Sequence, residues 1–174
     1  MPQAGDDIRD EQGYGLIFRQ TARETNGELL EMEAFYRPAS AAPPLHYHPR
    51  QAEHFEVLGG AFQVTRGDET VVYKTSDTFD IPAGIPHAMH NVSAETGHLL
   101  WQTRPALNSE GFFEKTWTMD RDNQSQGRGL KEILQLAVIF QAHRDEVRLA
   151  SPVQRTILTL LVPVGRLFGH RATL

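Results

Sequence analysis

The chain has 174 residues, a formal net charge of −5 and no cysteine. This length suits one domain with a packed core, and the absence of any basic run argues against a nucleic-acid partner. Without cysteine there are no disulfides, thiolate nucleophiles or cysteine metal ligands. The first residues lack the features of a secretory signal, and the apolar segment 157–168 is shorter than a membrane span of about 20 residues. We therefore expect a cytoplasmic protein with no membrane span.

Residues 1–12 are polar and predict a flexible N-terminal segment. Residues 13–119 contain short alternating runs separated by turn residues such as Arg66-Gly67-Asp68. The expected strands cover residues 16–18, 29–37, 53–58, 61–65, 71–73, 78–81, 88–92, 98–103 and 112–118. Many short strands of this kind predict an all-β sandwich or barrel.

Residues 120–174 have a different character and predict a helical extension. A polar linker over 121–129 precedes a helix from 130 to about 147, whose apolar residues recur at helical spacing. A second helix should begin at Ser151, a good N-cap, with Pro152 in the first position and Gln154 completing a capping box.

The two predicted helices carry more apolar surface than one barrel flank would cover. The second has a stripe formed by Val153, Ile157, Leu160, Leu161 and Val164. We expect the helices to form an accessory layer that helps to build a homodimer. The alternative is that basic residues hold this tail on an anionic membrane surface. Those residues are Arg144, Arg148, Arg155, Arg166 and Arg171.

Two segments carry ligand-type side chains. The first is His46-Tyr47-His48 followed by Glu53, and the second is Pro86-His87-Ala88-Met89-His90. Alternate side chains of a strand share a face, so His46 and His48 point the same way. Glu53 follows at a distance that allows a neighbouring strand, from which it can add an oxygen ligand. Imidazole suits zinc, copper, iron and nickel, and the carboxylate adds manganese.

These segments resemble the two sequence motifs of the cupin superfamily. The matching residues are His46, His48, Glu53 and Gly60 in the first motif and Pro82, Gly84, His87 and Asn91 in the second. Ser40 and Ser76 stand where a glycine usually opens each motif, a change in the turns and not in the ligands.

The resemblance implies a double-stranded β-helix, the jelly-roll barrel of a small single-domain cupin, followed here by the two C-terminal α-helices. It also implies one divalent transition metal (Fe, Mn, Ni, Cu or Zn) in the barrel interior. The implied ligands are His46, His48, Glu53 and His87.

Strand parity predicts which other side chains face the interior. Phe55 and Val57 share the face of Glu53, whereas His54 and His90 point outward. The predicted lining residues are Phe55, Val57, Phe62, Met89, Asn91 and Trp101. We expect His98, His143 and His170 to be solvated, because they belong to no ligand pattern.

Cupins host many activities, so the resemblance leaves the reaction open. One hypothesis is a metal-dependent enzyme, a dioxygenase or an isomerase, that acts on a small organic molecule. In it, Glu53 is the catalytic residue and leaves the metal to take a proton. The second hypothesis is a module without turnover that binds a small ligand or holds a structural metal.

Overall fold

A computed structural model describes residues 1–122 and 129–171 of the chain. The described residues form ten strands and three helices. The strands are β1 (Gly15–Gln20), β2 (Leu30–Tyr36), β3 (His46–Tyr47), β4 (Ala52–Gly59), β5 (Ala61–Arg66), β6 (Glu69–Lys74), β7 (Thr78–Ile81), β8 (His87–Asn91), β9 (Gly97–Arg104) and β10 (Arg148–Leu149). The helices are α1 (Ser109–Asp122), α2 (Leu130–Ala142) and α3 (Pro152–Leu167).

The strands form two antiparallel five-stranded sheets. One has the order β1-β2-β9-β4-β7 and the other the order β10-β3-β8-β5-β6. Their largest fully buried apolar side chains form one core: Phe18, Phe55, Phe62, Leu16, Leu30, Met32, Ile81 and Leu99. This arrangement confirms the predicted all-β double-stranded β-helix with C-terminal helices.

The β4 strand shows how alternation positions the interior. Glu53, Phe55 and Val57 are buried, and the residues between them are more exposed. A shift of the strand pairing by one residue would turn these three side chains to solvent, so their burial specifies the register. The strand ends at Gly59, and the next residue, Gly60, has a φ of +82°, which lies in the left-handed region. A Cβ there would lie 3.0 Å from Gly97 Cα, so this turn needs glycine.

The strand predicted over residues 112–118 is wrong, because these residues belong to helix α1. Phe112 and Phe113 are buried, and Trp117 packs against the same core from the next turn of the helix. Helical spacing therefore turns all three towards the barrel. Of the predicted linker, residues 121–122 belong to α1, and residues 123–128 lie outside the described part of the chain.

The helix predicted to reach residue 147 ends earlier, at Ala142. The chain then turns, and Arg148 and Leu149 pair with Tyr47 and His46 as strand β10. Local periodicity does not reveal this pairing, because its partner lies about a hundred residues away in the sequence.

The predicted N-cap of α3 is confirmed, with Pro152 at the start of the helix. Ser151 is the N-cap, its hydroxyl accepts a hydrogen bond from the Gln154 N–H, and Pro152 occupies the first turn. The α3 helix packs on α2, with Val162 and Gly165 buried. Within residues 1–122 and 129–171, no helix combines the length and hydropathy needed to cross a bilayer.

Candidate metal centre

Three histidines converge at one end of the barrel. His46 lies on β3, His48 follows it directly, and His87 begins β8 opposite His46. One ring nitrogen of each lies within 4.8 Å of the others. The turn before β8 contacts the same segment, because the Gly84 N–H donates to the His48 carbonyl over 2.8 Å. Gly84 has a φ of +80°, which suits glycine in this turn.

The Glu53 carboxylate faces these rings from the opposite sheet. Its Oε1 lies 3.3 Å from His48 Nε2, and its Oε2 lies 3.1 Å from His87 Nε2. Trp101 donates its indole N–H to Glu53 Oε1 over 3.0 Å. The four residues expected from the motifs are therefore brought together, and Trp101 orients the carboxylate.

Each of the three rings is held through Nδ1 by a backbone carbonyl. The acceptor is Pro44 for His46 and Ile85 for His87, both at 3.0 Å. For His48 it is Glu146, at 2.6 Å. A carbonyl oxygen only accepts, so Nδ1 carries the hydrogen in a neutral ring and Nε2 keeps its lone pair. This partner on the far nitrogen is typical of metal-ligating histidine.

Charge in the site favours the metal-binding forms of Glu53 and His46. Burial raises the pKa of the Glu53 carboxyl, but His48, His87 and His46 together outweigh it and hold that pKa at about 2. Burial and the neighbouring His87 and His48 lower the pKa of His46 to about 3. For His87, burial lowers the pKa, but the Glu53 carboxylate prevails and raises it. Near neutral pH the site thus contains an ionised carboxylate and a neutral His46.

The donor set fits a cation. In the described part of the chain, neither His48 Nε2 nor Glu53 Oε2 has a hydrogen-bond donor, although both are buried. The Nε2 lone pair of a neutral His48 and the Glu53 carboxylate repel one another unless a positive species lies between them. Leaving such acceptors buried and unpaired is costly. A metal ion held by His46, His48, His87 and Glu53 would satisfy them.

The six predicted lining side chains are all buried. Phe55 stacks on Phe79 with ring centroids 4.8 Å apart, and the tilted Trp101 ring lies 5.3 Å away. The Asn91 amide donates to the carbonyls of Arg37 and Glu95 and so holds a turn. Contact of these side chains with a ligand remains a prediction.

The remaining histidines divide between correct and wrong expectations. His54 points away from Glu53 and lies 2.8 Å from Asp80, as parity predicts. The expectation that His143 is solvated is wrong, because its side chain is only 2% exposed. His98 and His170 are half-buried, where solvated rings were expected. His98 contacts Glu33, and His170 contacts Gln135. Their partial burial results from tertiary packing, which cannot be predicted from their absence from a metal-ligand motif.

Two contributors to the site were missed in the sequence. The Trp101 indole was assigned to the lining but donates to Glu53. Its position was readable, because Trp101 pairs with Phe55, which shares the face of Glu53. The Glu146 carbonyl had no sequence signal, since any residue has a carbonyl and the segment was read as helix.

Comparison with known proteins finds similarity over the middle part of the chain. The family model described as "Cupin domain" matches residues 33–103, which include all four converging residues. Germin-like protein 5-1 of Oryza sativa subsp. japonica is 39% identical over 69 residues, 36% of this chain and 30% of the relative. The xanthan biosynthesis protein XanB of Xanthomonas campestris pv. campestris is 31% identical over 65 residues, 37% of this chain and 14% of that protein. The chain thus spans less than a third of either relative.

Among solved structures, KdgF from Halomonas sp. is similar with a TM-score of 0.49 and 17% identity. The similarity covers 60% of this chain and 90% of that one.

Proposed function

Because this chain carries a cupin domain, we propose that it binds one divalent transition metal through His46, His48, His87 and Glu53. The observation that carries the proposal is the convergence of three imidazole nitrogens beside the buried Glu53 carboxylate, where His48 Nε2 and Glu53 Oε2 have no donor among the described residues. Three imidazoles and one carboxylate suit Fe, Mn, Ni, Cu or Zn. A five- or six-coordinate metal held by these four ligands would keep room for a small molecule, whereas a tetrahedral zinc would be closed by them.

We propose further that the protein acts on a small organic molecule, with a dioxygenase as the first reaction class. When bound, the metal would supply a Lewis acid and, if redox-active, a site for dioxygen. The chain's own residues orient the ligands and keep the site dry, since Phe55, Met89 and Trp101 are buried beside it. An isomerase and a ligand-binding module without turnover are the alternatives.

The structure bears on the role of Glu53. A carboxylate with a pKa of about 2 is a good ligand and a weak proton acceptor near pH 7. The Trp101 hydrogen bond also restrains it. These features favour Glu53 as a ligand that stays in place, and its catalytic role as a base remains a prediction.

Metal analysis of matched variants tests the centre. Protein purified without a tag and reconstituted with Fe(II), Mn(II), Ni(II), Cu(II) or Zn(II) should retain close to one ion per chain. His48→Ala should lower affinity by more than about 100-fold, beyond the usual cost of an outer-shell change. His90→Ala is the control, since His90 lies on the other face of β8 from His87. Failure of the parent protein to retain any ion would overturn the proposal.

Turnover needs its own measurement. We expect oxygen uptake by the metal-loaded protein with an aromatic or enol substrate, and its loss in His48→Ala. Isomerised product without oxygen uptake would favour the isomerase. Tight ligand binding without product would favour the module without turnover.

We also propose a homodimer built on α3. The residues Val153, Ile157, Leu160, Val164 and Leu167 are exposed and alternate in spacing between four and three. This spacing places them on one stripe, the pattern by which two helices pack in pairs. Leu160 is 70% exposed and Leu167 is 84% exposed. A second copy would cover the stripe in a closed two-fold contact.

Light scattering tests the dimer. Leu160→Lys should convert a dimer to a monomer, whereas Thr159→Lys, which adds the same charge beside the stripe, should not. A parent protein that stays monomeric at high concentration would contradict the proposal. Binding of that monomer to acidic vesicles would instead favour the membrane-surface alternative.

A further inference from the structure

The three histidines of the centre are oriented from different parts of the chain. His46 and His87 each bond to the carbonyl two residues earlier, so their own loops set their rings. His48 bonds to the Glu146 carbonyl, 98 residues away. One of the three rings is thus held by the C-terminal extension, outside residues 33–103 that match the cupin family.

The carbonyl of Glu146 is fixed by contacts on both sides of the turn that follows α2. The N–H groups of Glu146 and Val147 donate to the His143 carbonyl over 3.0 and 2.9 Å. The Glu146 side chain is buried, and its Oε1 accepts from the Asn108 N–H at the start of α1 over 3.3 Å. A carbonyl held in this way is a rigid acceptor.

The next residues attach the extension to the strand that carries His46. β10 pairs with β3, and the Ala150 N–H donates to the Leu45 carbonyl over 2.8 Å. On its other side, β3 pairs with β8 only through His46 and His87. Without β10, this two-residue strand would be a sheet edge with little support.

Arg155 closes the junction from α3. Its guanidinium donates to the Tyr47 hydroxyl over 3.1 Å and to the Leu149 carbonyl over 3.3 Å. It also lies 5.9 Å from the centre of the Tyr47 ring. Tyr47 stands between the two histidines, so this contact joins α3, β10 and the ligand-bearing segment.

We propose that the Glu146 carbonyl and the β10 strand act as a positioning element of the metal centre. The Glu146 carbonyl selects the His48 tautomer with hydrogen on Nδ1 and aims Nε2 at the site. The β10 strand holds the ligand-bearing segment in place. The effect on metal affinity rests on the proposed metal binding, but the effect on His48 does not.

Long-range ¹⁵N–¹H NMR of the metal-free protein tests the orientation of His48. The parent protein should show the Nδ1–H tautomer. Glu146→Ala combined with Ala150→Pro removes the Asn108 contact and the N–H that bonds to Leu45, and it should give a mixture of tautomers. Glu146→Gln, made in the parent protein, keeps an acceptor for the Asn108 N–H and should therefore keep the parent spectrum.

Chelator competition then measures affinity for Zn(II) and Cu(II). We expect the double variant to lose about 10–100-fold, the usual cost of removing an outer-shell partner. Its Cu(II) EPR hyperfine splitting should also change. Asp145→Ala is the matched control, because this exposed acid of the same turn contacts only surface Arg148 in the described residues. Its affinity should stay within about threefold of the parent.

The outcomes separate the two proposals. A parent protein that binds no metal would overturn the metal proposal, while the NMR comparison still decides the role of Glu146. A double variant that keeps the parent tautomer and affinity would overturn the positioning element. If the double variant does not fold, the single variants Glu146→Ala and Glu146→Gln are compared instead. The His48 tautomer and the metal affinity then decide the question.

Discussion

The barrel and the C-terminal extension treat apolar surface in opposite ways. In the barrel, alternation along each strand sends side chains such as Phe55 and Leu99 into a closed core. In the extension, α3 buries Val162 and Gly165 but leaves Ile157 and Leu160 in solvent. The barrel therefore completes its packing within one chain, whereas the extension has a face that a partner could cover.

The two regions also differ in what they contribute to the site. The barrel provides the ligand-type side chains and the Trp101 donor. The extension provides a backbone carbonyl and a short strand, which no ligand motif includes. One ligand-type side chain of the barrel, His48, thus bonds to a segment outside residues 33–103.

The largest effect on stability should come from a buried side chain of the barrel, compared with an exposed side chain of α3. Phe55→Ala should lower the free energy of unfolding by about 3–5 kcal/mol, because it empties a packed core. Leu160→Ala should change it by less than about 0.5 kcal/mol in dilute monomer, as exposed sites usually do. Urea unfolding at low protein concentration measures both. Equal losses would show that α3 is covered within the chain.

Acid should weaken the extension through His143. Burial and the charge of Lys115 lower the pKa of this ring to about 4, although the Asn108 carbonyl opposes them. Because the folded pKa lies below the ordinary value of about 6.5, the stabilisation is present above pH 6.5 and is lost as pH falls towards 4. The loss should be on the order of 3 kcal/mol.

Urea unfolding across pH 4–7, with chelator present, measures this loss. Below pH 6.5, the free energy of unfolding of His143→Gln should fall less steeply with pH than that of the parent. Glu110 and Glu146 also face this region, so Glu110→Gln serves as a second comparison. Parallel acid limbs for the parent and His143→Gln would contradict the assignment.

Trp101→Phe tests the contribution of the barrel to the centre. It removes the N–H donor from a buried carboxylate, which should cost about 1.5–3 kcal/mol of unfolding free energy. Metal affinity should fall by about tenfold or more. Trp117→Phe removes the same atoms from a ring stacked on Tyr14, away from Glu53. Metal titration should show a loss of affinity in Trp101→Phe and none in Trp117→Phe.

The smallest effect concerns a turn of the barrel. Ser76 has a φ of +74°, a conformation that suits glycine. Ser76→Gly should raise the free energy of unfolding by about 0.5–1 kcal/mol, because it relieves this strain. Ser76→Ala keeps the strain and should bring no gain. Thermal melts of both variants measure this difference. A higher melting temperature for Ser76→Ala than for Ser76→Gly would show that the turn relaxes in solution.

Much of the barrel was predictable from the sequence, because strand alternation is a local signal that burial then enforces. The same parity is enough to place Phe55 and Val57 on the face of Glu53 and His54 on the opposite face. The N-cap at Ser151 was readable for a similar reason, since its hydrogen bond spans three residues.

Other features depended on tertiary structure. Residues 112–118 became a helix because a helix turns Phe112, Phe113 and Trp117 together onto the barrel. β10 exists because β3 offers it an open edge, and the Glu146 carbonyl reaches His48 only after the chain has closed around the barrel. Residue type, strand period and the resemblance to the cupin motifs were enough to identify the side chains that could bind a metal. What holds these side chains in place emerged only from tertiary packing, because backbone carbonyls and strand edges carry no residue-specific signal.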